Sequence, residues 1–228
     1  MPARWGIEGP LTWEIFERQA GRYQDWYTTA RGQRASRAET ELLRWLLARF
    51  PDARTVLEVG CGSGHFTAWL EARGLRPIGL DRAPGMLARM RRRLPGCSML
   101  LADARSLPVR DRAVDLVMFV TTIEFLESPG NALAEAFRSA RCGVVAVVLN
   151  RWSAGGLSRR WGSQSRGPLL RHARDLSLRQ LRGLFEEAAG PRLTRLGWRS
   201  GLFPFRLPLG PAPIPLGDVL GIRAELEV

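Results

Sequence analysis

Apolar positions change their period along this chain. Over residues 11–30 they fall at 11, 13, 15, 16, 20, 23, 26 and 27. Intervals of three and four predict a helix there. Gly32 breaks the pattern. Leu42, Leu43, Leu46, Leu47 and Phe50 then mark a second helix over 36–50, stopped by Pro51. From residue 55 the pattern becomes short apolar runs at 55–60, 76–81, 98–103, 114–120 and 143–150. These runs lack alternation, so the strands they predict are covered on both faces. Helical stretches at 64–73, 84–94 and 131–140 lie among them. Strands and helices in this alternation predict a parallel α/β sheet with right-handed crossovers.

The final third is less regular. Residues 151–175 are rich in Gly, Ser and Arg, punctuated by Trp152 and Trp161. Ser177 is a candidate N-cap for a helix over 177–189, with Gly190 past its end. Residues 192–202 read as a strand. Pro208, Pro211, Pro213 and Pro215 make 207–216 an extended connection. Residues 218–228 alternate and predict a closing strand.

Composition narrows the class. The chain has 228 residues, 45% hydrophobic and 25% charged, which suits one globular domain and excludes disorder, collagen-like repeats and a disulfide scaffold. No apolar run approaches the roughly 20 residues of a bilayer span. The first ten residues hold no stretch of signal-peptide length, and a cytoplasmic protein is expected. Cys61, Cys97 and Cys142 are far apart with no CxxC, so reduced, mostly buried thiols are expected and no metal site. The net charge is +12, and all 34 basic residues are Arg. Total exclusion of Lys fits coding bias in a GC-rich genome. Yet 151–206 holds twelve Arg against Asp175, Glu186 and Glu187, and so +9 of that charge. A solvated face, an anionic substrate, RNA and a membrane surface all fit it.

The most informative segment runs Val-Leu-Glu58-Val-Gly60-Cys61-Gly62-Ser-Gly64-His65. A buried strand enters three glycines, which permit a tight strand-to-helix turn and close approach of a ligand to the backbone. In a parallel sheet such a turn floors the crevice where strand order reverses. The dinucleotide pattern G-x-G-x-x-G fails, because His65 stands at its third glycine; a P-loop fails for want of Lys.

The pattern E-x-G-x-G-x-G resembles the class I S-adenosylmethionine-dependent methyltransferases. Three further runs carry the likeness: Gly79-Leu-Asp81-Arg82, Leu101-Ala-Asp103-Ala104 with Leu107-Pro108, and Ala113-Val-Asp115-Leu-Val-Met-Phe-Val120-Thr121-Thr122. The match covers roughly residues 50 to 150. Tyr23-Gln-Asp-Trp-Tyr27 and the residues after it resemble the lid helix of the ubiquinone/menaquinone-biosynthesis group. The resemblance implies a Rossmann-like fold, with a mostly parallel seven-stranded sheet, helices on both faces and an N-terminal helical lid. It implies a lid over 1–50 and a cofactor-binding domain over 51–228.

It also implies roles. Gly60, Cys61, Gly62 and Gly64 form the cofactor loop, and Glu58 points into the site. Asp81 takes the ribose hydroxyls, a task that suits a carboxylate's two oxygens. Arg82 and Met86 lie towards the adenine. Asp103, with Ala104, takes the adenine edge, or Asp103 caps the next turn. Thr121 lines the methyl-transfer centre.

Methyl transfer needs in-line geometry more than acid–base help. Glu124 is the candidate base, its alternative being a surface acid; His172 is a candidate facing the substrate. Arg31 is a candidate partner for the methionine carboxylate. Tyr23, Trp26 and Tyr27 read as lid packing, and His65 as a core or helix-start residue. The expected activity is transfer from S-adenosyl-L-methionine to a small molecule, leaving S-adenosyl-L-homocysteine. An RNA or protein methyltransferase using 151–206 is the alternative, though no Asn-Pro-Pro-Tyr-like tetrapeptide follows the fourth strand. A non-catalytic partner protein on the same fold, and a membrane-associated form acting on a lipid quinone through Trp152, Trp161 and nearby Arg, complete the set.

Overall fold

The computed structural model describes residues 12–161, 170–203 and 210–227. Seven strands form one sheet: β1 (Thr55–Val59), β2 (Arg76–Asp81), β3 (Ser98–Leu101), β4 (Val114–Val120), β5 (Ala140–Leu149), β6 (Leu193–Gly201) and β7 (Val219–Leu226). Their order is β3-β2-β1-β4-β5-β7-β6. The first five are mutually parallel, and β7 runs antiparallel between β5 and β6. This is the mostly parallel, doubly covered sheet that the apolar runs predict.

β4 shows why those runs lack alternation. Val117 and Phe119 pack on one face with helices α5 (Pro129–Ser139) and α7 (Leu178–Ala189). Leu116, Met118 and Val120 pack on the other with α2 (Ala30–Leu47) and α3 (His65–Glu71). Both sides of the pleat are apolar because both sides are inside. Asp115 pins the far end of the strand. It accepts from the backbone N–H of Arg54 at 2.8 Å and of Thr55 at 2.9 Å, and it pairs with Arg141. Burial pushes its carboxyl up, but those bonds outweigh burial and hold it at about 2.

The N-terminal region departs from the predicted pattern. The expected helix over 11–30 divides into α1 (Thr12–Gln19) and a 3-10 helix, Tyr23–Thr28. The second helix starts at Ala30 rather than 36, with Gly32 inside its first turn. Thr29 caps it, accepting from Gly32 N–H at 3.0 Å. A Cβ on Gly32 would lie 1.9 Å from the Trp26 carbonyl oxygen, so this glycine lets two helices meet instead of breaking one. α2 is built into the sheet's second face through Leu42, Leu43 and Leu46, whereas α1 and the 23–28 turn lie over the strand ends.

Two helices remain. α4 (Pro84–Arg93) follows β2, with Pro at its start as predicted. α6 (Ala154–Trp161) lies in the Gly-, Ser- and Arg-rich stretch, where composition hid it. Ser177 does cap α7, in a reciprocal box with Gln180. Arg166, Arg206 and Pro208 lie outside the described residues, as do the side chains of Arg159, Arg160, Trp161 and Arg171. Among the described residues no helix is long and apolar enough to cross a membrane. Cys61, Cys97 and Cys142 are free thiols; Cys61 is buried and the other two are partly exposed.

Candidate functional site

Strand order reverses between β1 and β4, and a cavity opens at the carboxyl ends of β1, β2 and β4. Its walls include Gly60, Gly62, Asp81, Arg82, Met86, Asp103, Ala104 and Thr121. Eight of the predicted site residues therefore meet in one place, although they come from four loops.

The floor is the glycine loop. Gly60 and Cys61 N–H both donate to the Leu80 carbonyl, at 2.7 and 3.0 Å, which ties the loop to β2. Gly60, Gly62 and Gly64 have φ of +74°, +52° and +78°. A Cβ on Gly60 would stand 2.3 Å from Thr122 Cγ2, so the chain here is both left-handed and crowded. Across the cavity, Thr121 itself holds φ +47°, an uncommon conformation for threonine.

Asp81 links loop to strand. One oxygen accepts from Gly62 N–H at 2.8 Å and the other from Ala83 N–H at 2.9 Å. Burial raises its pKa, and these backbone bonds oppose the rise. A carboxylate has about four lone-pair sites, so roughly two are left for a ligand. Asp103 is differently placed. Arg105 grips it through backbone N–H at 2.9 Å and guanidinium bonds at 3.0 and 2.8 Å, and Arg82 reaches it at 3.1 Å. The Arg105 bonds hold its pKa below the usual range. Asp103 thus makes the turn cap and lines the cavity together. Glu127 completes the cluster, 3.1 Å from Arg105.

Other predicted residues lie outside the cavity lining. Glu58 is buried behind the loop, where Thr67 Oγ1 donates to it; burial raises its pKa to about 8. Cys61 turns its sulfur to Met90 in a buried cluster, and Gly64 packs against Met90. His172 is exposed, and Arg31 is exposed beside Trp26. Glu124 is not a surface acid: it is 1% exposed, and its pKa is raised to about 8 by burial.

The structure adds residues that sequence reading assigned to helix packing or passed over. Trp13, Phe16 and Tyr23 roof the cavity, with Phe125 beside them; Phe16 and Phe125 meet edge-on at 5.0 Å. The apolar stripe of residues 11–30 marked these aromatics, but a stripe does not say what it covers. Glu17 fastens the roof, accepting from Gly85 N–H at 2.7 Å. His65 fastens its other end. It stacks on Tyr27 at 3.7 Å and its Nε2 meets Ser36 Oγ at 2.7 Å. Burial and the nearby Arg93 lower its pKa to about 4, so the ring is neutral at pH 7. Glu39 is a buried acid on α2. Its signal was legible: an acid standing three and four residues before Leu42 and Leu43 on a buried stripe.

Known proteins agree with this geometry. Residues 57–148 match the methyltransferase domain family. A malonyl-[acyl-carrier protein] O-methyltransferase of Serratia marcescens is 35% identical over 102 residues, 45% of this chain and 40% of that protein. A trans-aconitate 2-methyltransferase of Azoarcus is 35% identical over 113 residues, 48% of this chain and 44% of that protein. The chain thus matches less than half the length of these relatives. A Thermotoga maritima structure, described as a SAM-dependent methyltransferase and possible histamine N-methyltransferase, superposes with a TM-score of 0.76. It is 26% identical and covers 95% of this chain and 100% of its own.

Proposed function

We propose that this chain, whose central segment is a methyltransferase domain of the S-adenosylmethionine-dependent class I fold, binds S-adenosylmethionine in the cavity and methylates a small molecule. The observation that carries the reading is Asp81, a half-buried carboxylate whose two oxygens each hold one backbone N–H and keep capacity for a vicinal diol. Gly60 and Gly62 would take the cofactor's backbone-contacting part, and Met86, Ala104 and the Asp103 edge its flat base. When bound, the cofactor supplies an electrophilic methyl on a sulfonium sulfur.

The chain's own residues then position and exclude. Trp13, Phe16 and Tyr23 cover the cavity and keep water out; Thr121 and Thr122 shape the wall after β4. Holding an acceptor in line supplies much of such a rate. Glu124, flanked by cavity-lining Thr122 and Phe125, is the group to take up an acceptor proton, since burial keeps its pKa near neutral. A small acceptor is favoured over RNA because aromatic rings roof the cavity. The exposed arginines Arg179 and Arg182 border a separate groove that shares no lining residue with it.

Calorimetry with S-adenosylhomocysteine tests the reading. Micromolar binding to the wild type that is lost in Asp81→Ala supports it. Absence of binding to the wild type shifts the function to a partner protein on the same fold.

A further inference from the structure

One surface turn carries apolar side chains where polar ones are the rule. Pro213, Ile214, Pro215 and Leu216 are consecutive, exposed and all apolar. Ile214 is 43% and Leu216 58% exposed. Trp152, 52% exposed, lies with Pro215 and Leu216 on the wall of the groove beside α7. Three of the five large apolar side chains exposed among the described residues therefore belong to this turn and its neighbour. A surface cluster of that kind marks a contact with something less polar than water.

Buried hydrogen bonds hold the turn in place. Asn150, 1% exposed, donates to the Pro215 carbonyl at 3.0 Å and the Gly217 carbonyl at 2.8 Å. Its oxygen accepts from Trp152 N–H at 3.1 Å, so one side chain sets both apolar tips. Ser200, also buried, donates to the Ile214 carbonyl and accepts from Gly217 N–H at 3.2 Å. Leu216 N–H donates to the Ile214 carbonyl at 2.9 Å. Pro213 and Pro215 have no N–H to satisfy. These backbone groups are bonded within the protein while the side chains face out. Water would serve the same groups on any surface turn; hydrocarbon would not, and there internal partners are required.

The surroundings are cationic. Arg179 and Arg182 line the groove, and the Arg151 guanidinium stands 5.6 Å from the Trp152 ring. Glu186 is the acid among the described lining residues, 3.1 Å from Arg182. Asp218, just past the turn, accepts from Gly155 N–H at 2.9 Å. Arg174 and Asp175, before α7, are opposite in sign, and Glu187 lies on α7 outside the groove lining.

We infer that this patch docks the protein on an anionic lipid bilayer. Trp152, Ile214 and Leu216 enter the interface, and Arg151, Arg179 and Arg182 stay among the lipid phosphates. A nucleic acid would gain from the arginines and from Trp152, but not from the aliphatic pair. The patch begins where β5 ends, on the edge of the sheet at which the cavity opens, so docking turns that edge towards the bilayer. The inference is independent of the cofactor reading.

The test is sedimentation of the full chain with vesicles of phosphatidylcholine, alone and mixed with phosphatidylglycerol. The wild type pellets with the mixed vesicles and far less with the neutral ones. Ile214→Ser combined with Leu216→Ser lowers that partition by about thirtyfold or more, through lost apolar burial. Arg179→Gln combined with Arg182→Gln lowers it by about tenfold or more, on the mixed vesicles alone. Both double variants keep the wild-type melting temperature, because the altered side chains are exposed. Tryptophan emission moves to the blue on the mixed vesicles, and most of that shift is lost in Trp152→Phe. No binding to the mixed vesicles, or binding indifferent to the aliphatic pair, overturns the inference. So does self-association in place of vesicle binding, if Ile214→Ser and Leu216→Ser abolish it, since the patch then meets a second copy of the chain.

Discussion

Replacing Gly60 by alanine separates two costs that the glycine loop imposes. The first is conformational: φ is +74°, and an L-residue held in the left-handed region loses about 1–2 kcal/mol. The second is steric: the new Cβ would meet Thr122 Cγ2 at 2.3 Å and Oγ1 at 2.6 Å, and forcing extra volume into a packed site costs about 1–3 kcal/mol. Gly74 supplies the control. Its φ is +75°, but nothing lies within 4 Å of an added Cβ, so Gly74→Ala carries the conformational cost alone. Urea unfolding of both variants should give about 1–2 kcal/mol for Gly74→Ala and about 2–5 kcal/mol for Gly60→Ala. For a domain of this size each kcal/mol lowers the melting temperature by about 2–4 °C. Thr122→Ala removes the two nearest atoms and leaves Cβ at 3.0 Å, so the double variant recovers part of the steric loss. S-adenosylhomocysteine binding is lost in Gly60→Ala and kept in Gly74→Ala. Equal destabilisation at the two sites, or no recovery with Thr122→Ala, refutes the placement of Thr122 against the loop.

Asp81→Ala removes two charge-assisted bonds to the loop, each worth about 1.5–3 kcal/mol, and lowers S-adenosylhomocysteine affinity by about a hundredfold or more in calorimetry; a change of only a few-fold would place the ribose elsewhere. Stability falls as pH rises from about 5 to 9, because Glu39, Glu58 and Glu124 have folded pKa values raised to about 7, 8 and 8 by burial. A group raised in this way stabilises the fold fully below its unfolded value, and the contribution is lost through its folded value. Urea midpoints across that range check the sign, and Glu124→Gln shrinks the decline. His65→Ala removes the stack on Tyr27 and the contact with Ser36, which together are worth about 1–3 kcal/mol. Hydrogen exchange at 23–29 then quickens while β1 and β4 keep their protection. Loss of protection throughout would mean that His65 holds the core rather than the roof.

The sheet was legible before any coordinates because its signals are local. A strand buried on both faces must be apolar along most of its length, and the runs at 55–60, 114–120 and 143–150 are, with Thr55, Glu58, Asp115 and Asn150 as their polar positions. The glycine loop was legible for the same reason: left-handed backbone selects its residue type directly. The helix boundaries near 20–36 were not, because Gly32 reads as a breaker along the chain and is a close-packing residue only once Trp26 folds back upon it.

The cofactor half of the site followed its motifs. Gly60, Gly62, Asp81 and Asp103 sit at strand ends, and a parallel sheet brings strand ends together. What the sequence by itself determined is therefore the order of elements and the loops that meet at their carboxyl ends. Only the tertiary structure decided what becomes of each charge there. Asp103 is gripped by two arginines, Glu58 is sealed behind the loop, and Glu39 and Glu124, on elements far apart in the chain, are both buried. The physical reason is that a carboxyl's chemistry depends on its burial and its neighbours. For these acids both are set by contacts between segments far apart in the chain.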